Sequence, residues 1–157
     1  MSLFNVTWDV APLVLNYIDT NWGTFAESSG PAKPEKIRLV TEDENGNPVK
    51  GWDPASHDYI LISESGERTM EPIDGPRDAY DLGATCNVRI TTPTSRARRT
   101  DLYEELLVLA KHARKRSDAT PGNWDTVDYE PINVPDEDFR WWHFEGAWVF
   151  SAEARTI

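Results

Sequence analysis

The sequence predicts an α+β fold in which an antiparallel or mixed β-sheet carries an N-terminal helix and one long central helix on one face. Two observations predict the helices: apolar residues recur at helical spacing near the start of the chain and again after residue 95. A third predicts the sheet, because the other segments contain short apolar or alternating runs bounded by turn residues. Strands that follow one another closely tend to pair, and helices then cover one face of the sheet.

The chain of 157 residues is long enough for one domain with a core of its own. It contains no internal repeat, low-complexity segment or composition change that would mark a domain boundary. We therefore predict a single domain over residues 1–157.

The first helix is predicted from an apolar stripe near the start of the chain. Its members recur at steps of three and four residues, at Val10, Leu13, Val14, Tyr17 and Ile18. Asp9 is a predicted N-cap, and Pro12 falls in the first turn, where its missing N–H does no harm. The tripeptide Asn-Trp-Gly at residues 21–23 predicts the end of the helix.

Three strands are predicted between the two helices. Residues 37–40 form a short strand, and the apolar run of residues 59–62 is typical of a buried strand. Residues 65–67 are a predicted turn, after which residues 68–73 pair back. In residues 84–92, apolar and polar side chains alternate strictly, which predicts a half-buried strand.

The second helix is predicted over residues 96–116, with Thr94 or Ser95 as its cap. Its apolar face contains Leu102, Leu106, Leu109 and Ala113. Residues 126–130 then form a short strand, residues 135–138 a turn, and residues 139–155 the longest strand.

The last strand is predicted to be apolar on both faces. One face carries Trp142, Phe144, Trp148 and Phe150, and the other carries Trp141, His143, Ala147 and Val149. The first face is predicted core, whereas Trp141 and Val149 form a candidate protein–protein surface; a carbohydrate-binding aromatic platform is the alternative. Gly146 divides the strand and predicts a bulge or a close approach to its backbone.

Charge and cysteine content limit the partners. The chain has 27 acidic and 16 basic residues, a net charge of -11 that repels nucleic acid and anionic membranes. Its 5 Lys against 11 Arg are typical of a protein kept soluble in high salt, and also of many ordinary acidic proteins. The single Cys86, the lack of a signal-like N-terminus and the lack of a long apolar run predict a cytoplasmic protein without membrane association.

No residue pattern predicts a catalytic, cofactor-binding or metal site. His57, His112 and His143 lie apart from one another and from other ligands at metal-binding spacing. The acidic clusters fall in predicted turns, and motifs for nucleophiles or phosphate loops are missing. We therefore predict that the chain is not an enzyme. The alternative is a small enzyme whose site is assembled from scattered residues such as His57, Asp58 and Arg89.

The start of the second helix carries an unusual basic cluster, Arg96, Arg98 and Arg99. Cations at a helix N-terminus oppose the helix dipole at a cost of a few tenths of a kcal/mol each, so they call for an explanation. The arginines could meet carboxylates of a neighbouring subunit, contact nucleic acid, or pair with acidic side chains in the next turns of the helix. The acidic candidates there are Asp101, Glu104 and Glu105.

The order of elements resembles that of the tail terminator, or tail-completion, proteins of tailed phages and archaeal tailed viruses. The resemblance is carried by an N-terminal helix, the stretch RDAYDLGATCNVRITT at residues 77–92, the charged helix segment RRTDLYEEL at residues 98–106, and the final WVF at residues 148–150. It covers most of the chain and includes no invariant motif.

The resemblance implies a virion subunit, assembled in the host cytoplasm, that forms a homo-oligomeric ring, a hexamer, which caps the tail tube and joins it to the head or neck. The implied partners are the tail tube protein and head-completion or neck proteins, with DNA passing through the lumen, and the family has no active site or cofactor. Arg96, Arg98, Arg99, Trp141 and Val149 are then the candidate subunit interface. The alternatives are another head–tail connector or tail accessory protein, the small enzyme described above, or a nucleic-acid-binding module that uses the three arginines.

Overall fold

The computed structural model of the protein describes residues 6–75, 77–114, 120–122, 124–132 and 141–155, with only the backbone described at residues 65–67. Two helices and five strands occur within these ranges. In chain order they are α1 (Val10–Asn21), β1 (Lys36–Leu39), β2 (Tyr59–Pro72), β3 (Ala79–Thr92), α2 (Arg96–Ala113), β4 (Thr126–Ile132) and β5 (Trp142–Arg155).

The strands form one five-stranded mixed sheet in the order β1-β2-β3-β5-β4. β1 pairs parallel with β2, and the other neighbours pair antiparallel. The last strand in the chain therefore lies between β3 and β4, where it pairs along its whole length with β3. The predicted α+β class, with a mixed sheet and two helices, is confirmed.

Both helices pack on the same face of the sheet. The apolar stripe of α1 buries Val10, Val14 and Ile18, and the stripe of α2 buries Leu102, Leu106 and Leu109. Between them and the sheet lies one core, whose strand members include Ile60, Ile62, Cys86, Val88, Ile90, Trp148 and Phe150. Complete burial of one Val, Leu, Ile or Phe side chain stabilises the fold by about 1.5–3 kcal/mol.

The opposite face, which we call the open face, is covered at one end by the segment between β1 and β2. There Val49 and Trp52 pack on Tyr59 and Leu61 to form a second, smaller cluster. Gly51, in the same segment, adopts a φ of 74°, a left-handed conformation that favours glycine.

The predicted turn at residues 65–67 is wrong, and so is the predicted pairing of residues 68–73 back on the preceding strand. β2 continues to Pro72 through an irregularity between Glu64 and Arg68, where three residues of β2 face one residue of β3. A bulge of this kind absorbs extra residues without reversing the chain, so Ser-Gly-Glu marks a bulge here rather than a turn. The reversal falls after Pro72, and β3 accordingly begins at Ala79 rather than at residue 84.

The other boundaries lie close to the predicted ones. Ser95 rather than Thr94 caps α2, since its hydroxyl accepts the Arg98 backbone N–H at 3.0 Å, while Asp9 makes no side-chain cap bond to α1. The predicted end of the second helix at residues 115–116, the turn at residues 135–138 and the first two residues of the predicted last strand lie outside the described residues.

Gly146 confirms the predicted close approach but not a bulge. β5 keeps an unbroken register with both β3 and β4 through this residue. The ring of Tyr129, in the neighbouring strand, lies over Gly146 so closely that a Cβ atom would overlap it. The glycine therefore provides space for an aromatic ring against the sheet.

Candidate functional site

The contacts of Arg98 explain the presence of one basic residue at the start of α2. The guanidinium of Arg98 donates two hydrogen bonds to the Asp58 carboxylate, at 3.1 and 2.9 Å, and a third to the Ala32 carbonyl at 2.6 Å. The side chains of Arg98 and Asp58 are only 16% and 13% exposed. Arg98 therefore joins α2 to the segments that precede β1 and β2, a partner that none of the sequence-based alternatives named.

Arg96 remains at the surface beside an aromatic ring. Its guanidinium carbon lies 5.1 Å from the centre of the Trp142 ring, within the range of a cation–π contact worth about 0.5–1 kcal/mol at an exposed site. Arg99 is half-buried nearby, and burial together with the charge of Arg96 lowers its pKa. We call Arg96, Arg99 and Trp142 the basic corner.

Trp141 has a partner within its own chain. Its ring lies edge-on to the Trp52 ring, at 6.4 Å between centroids and 83° between planes, a geometry typical of aromatic pairs. Trp52 in turn packs on Tyr59 at 4.6 Å between centroids. Trp141, predicted from the sequence to meet a partner protein, thus contacts the segment between β1 and β2 of its own chain.

Val149 lies on the open face, half-buried among polar neighbours. Its register partners are Thr85 in β3 and Asp128 in β4. Beside it, Ala147 is paired with Asn87 and Glu130. The second face of β5 is therefore flanked by polar residues in this part of the sheet, which the sequence of β5 alone does not reveal.

Of the predicted interface residues, the structure brings Arg96, Arg98 and Arg99 together at one end of α2. Trp141 immediately precedes Trp142, so it lies near the same end of the sheet as the basic corner. Val149 is farther along β5, opposite the middle of β3. The five residues thus form one basic and aromatic end and one separate position on the open face.

His57, Asp58 and Arg89, the residues of the proposed alternative enzyme site, each make different contacts. His57 Nδ1 lies 2.6 Å from the Glu35 carboxylate, and Asp58 is bound by Arg98 as described. Arg89 lies on the open face in register with Leu61 and Glu145.

Two further titratable groups, His112 and Cys86, have structural surroundings. His112 Nε2 lies 2.7 Å from Glu27, and its ring stacks on Phe25 with centroids 3.8 Å apart. The hydrogen bond from His112 lowers the pKa of Glu27. Cys86 is fully buried in the core, and burial raises the pKa of its thiol to about 12, which disfavours the reactive thiolate.

Glu105 is a buried carboxylate whose role was not predicted from the sequence. It is 1% exposed and accepts hydrogen bonds from the Gly23 backbone N–H at 2.8 Å and the Ser28 hydroxyl at 2.6 Å. It thereby fixes the segment after α1 to the side of α2. The signal was present, since Glu105 follows Leu102 by three residues and so shares the apolar face of the helix.

Within the described ranges, no three His, Cys, Asp or Glu side chains converge as a metal site would require. Neither of the two described helices combines the length and the apolar character needed to cross a membrane. Comparison with protein-family models gives no match for this chain, and no curated protein matches it significantly.

Proposed function

We propose that the protein is a structural virion subunit, a tail terminator that forms a ring at the end of a tail tube and joins it to the head or neck. Its work is assembly rather than chemistry, so its functional residues are those that meet neighbouring subunits. The observation that carries the proposal is the order of elements: a helix, three strands, a long helix and two strands in one mixed sheet.

This order supports the resemblance on which the proposal rests. The stretch at residues 77–92 corresponds almost wholly to β3, the segment at residues 98–106 lies in α2, and residues 148–150 lie in β5. The three segments that carry the likeness are thus the central strand, the long helix and the strand that pairs with β3.

A ring also requires two unlike surfaces on each subunit, because each copy meets its two neighbours through different patches. The basic corner is one candidate patch, where a positive charge and an aromatic ring lie together at the surface of a chain with a net charge of -11. Arginine and tryptophan are both enriched in protein–protein interfaces. Arg98, by contrast, stabilises the subunit itself.

The assembly is tested by light scattering and sedimentation velocity of the purified protein across concentration and salt, with electron microscopy of the particles. We expect a closed ring of defined mass, and a protein that stays monomeric under every condition would contradict the proposal.

The contribution of the basic corner is tested with Arg96→Glu. This variant should weaken assembly at least tenfold, whereas Lys111→Glu should not. Lys111 is a matched control, because it lies in the same helix, undergoes the same change of charge and has a side chain that is 62% exposed. Equal assembly of the two variants would exclude the basic corner as a contact while leaving the ring itself in place.

A further inference from the structure

The β1 edge of the sheet has a basic open face. Lys36 and Arg38 are in register with Tyr59 and Leu61, which pack beneath Val49 on the open face. Because side chains alternate along a strand, Lys36 and Arg38 share that face, while Ile37 and Leu39 point to the helices. The strand is followed by Val40, a large apolar side chain that is 37% exposed.

The β4 edge has an acidic open face. Val127 and Tyr129 belong to the core on the helix side, so the alternating residues Asp128 and Glu130 lie on the open face. The strand ends at Ile132, which is 39% exposed. Pro131, which lacks a backbone N–H, is typical of an edge strand.

The geometry points to a head-to-tail contact in which β1 of one copy pairs with β4 of the next and joins their sheets; this inference rests on the proposed ring. Within one subunit β1 and β4 run in opposite directions, as the chain of pairings requires. In a ring whose axis is parallel to the strands, the rotation that relates neighbouring copies leaves the strand directions unchanged. The two edges therefore meet antiparallel, with their open faces on the same side.

Charge and spacing favour a second copy as the occupant. Each edge places two charges of one sign two residues apart, so Lys36 and Arg38 come opposite Asp128 and Glu130. Directly opposed side chains in an antiparallel pair have Cβ atoms about 4.5–5.5 Å apart, close enough for ion pairs. The contact uses different patches on the two copies and so continues around a ring.

Each edge has a contact of its own that the neighbour would replace. On β1, Arg38 donates a hydrogen bond to the carbonyl of Ile37 at 2.9 Å. On β4, Arg114 lies 3.0 Å from Asp128, and their side chains are 73% and 53% exposed. Exposed pairs of this kind contribute little to stability, so exchanging them for intersubunit pairs is not prohibitive.

Exchange of charge between the edges tests the contact. The variant Lys36→Glu/Arg38→Glu has two acidic edges, and Asp128→Lys/Glu130→Lys has two basic edges. Each variant alone should need at least a tenfold higher protein concentration to assemble. Sedimentation velocity at about 0.15 M salt measures this concentration, because charges within about 8 Å still interact there. A mixture of the two should assemble again, because every contact in it pairs an acidic edge with a basic one.

Two control variants carry the same change of charge at positions outside β1 and β4. Glu71→Lys/Asp81→Lys matches the acidic pair and lies on β2 and β3, where Glu71 and Asp81 are register partners. Lys33→Glu/Lys111→Glu matches the basic pair at exposed positions. Both controls should assemble like the natural protein. If they lose assembly as fully as the edge variants do, net charge rather than edge pairing governs the contact and the proposal is overturned.

A cysteine pair gives an independent measurement. Arg38→Cys together with Asp128→Cys should form disulfides between copies and give a ladder of covalent oligomers under oxidising conditions, while Asp81→Cys with Asp128→Cys should not. Assembly of the natural protein with no effect of either edge variant and no ladder would overturn the edge contact alone. A natural protein that never assembles would overturn both the edge contact and the proposed function.

Discussion

Loss of the buried Glu105 carboxylate should destabilise the subunit far more than loss of its exposed neighbour Glu104. Glu105→Ala removes two hydrogen bonds to a charged acceptor, each worth about 1.5–3 kcal/mol, and leaves the Gly23 N–H and Ser28 hydroxyl without their acceptor. Removing the charge also removes its desolvation cost, which offsets part of the loss. We expect a net decrease of about 3 kcal/mol in the free energy of unfolding.

Urea denaturation followed by tryptophan fluorescence measures this change. With a slope of about 2 kcal/mol/M, a loss of 3 kcal/mol lowers the midpoint by roughly 1.5 M. Glu104→Ala is the matched control, since Glu104 is exposed and its removal should change stability by less than about 0.5 kcal/mol. The reasoning is refuted if Glu105→Ala and Glu104→Ala have equal midpoints.

A double-mutant cycle separates the hydrogen bond from other effects of the substitution. Ser28→Ala alone should cost about 1–1.5 kcal/mol, and it should cost almost nothing when Glu105 is already alanine. Fully additive losses would show that the two side chains do not interact.

Three further predictions follow from the packing and the pKa shifts. Gly146→Ala should destabilise the protein by about 1–3 kcal/mol in chemical denaturation because its Cβ overlaps the Tyr129 ring, and additivity with Tyr129→Ala would contradict this. The hydrogen bond from His112 lowers the pKa of Glu27, so ionised Glu27 stabilises the fold above about pH 4.5, and this stabilisation is lost as the pH falls through the lower pKa of the folded state. Glu27→Gln should therefore be less stable than the natural protein above about pH 4.5, and the difference in free energy of unfolding should vanish at lower pH. A difference that does not change with pH would exclude this linkage. Cys86 should resist a thiol reagent at pH 8 until the protein unfolds, and rapid labelling of the native protein would contradict its burial.

The elements that the sequence predicted best are those whose signal is local. Strict alternation in β3 and the stripe of α2 depend only on which side of one element is buried, so both were recognised without knowledge of the neighbours. The bulge in β2 was missed because Ser-Gly-Glu is equally suited to a turn. Only the long-range pairing of residues 68–72 with residues 80–84 decides between them.

The candidate site was harder to predict because its residues are explained by distant partners. Arg98 is bound by Asp58, 40 positions earlier, and Trp141, next to β5, meets Trp52, in the segment between β1 and β2. The polar character around Val149 comes from β3 and β4, and the position of β5 between them has no signature in its own sequence. Composition nevertheless identified the arginine cluster and the aromatic strand as the segments that needed an explanation.

The mass of the purified protein in solution, measured across concentration and salt together with electron microscopy of the particles, tests the central claim most directly. The proposed ring predicts one closed assembly of about six times the 17.8 kDa subunit mass, visible as annular particles. A single subunit mass under all conditions, with no annular particles, would contradict it.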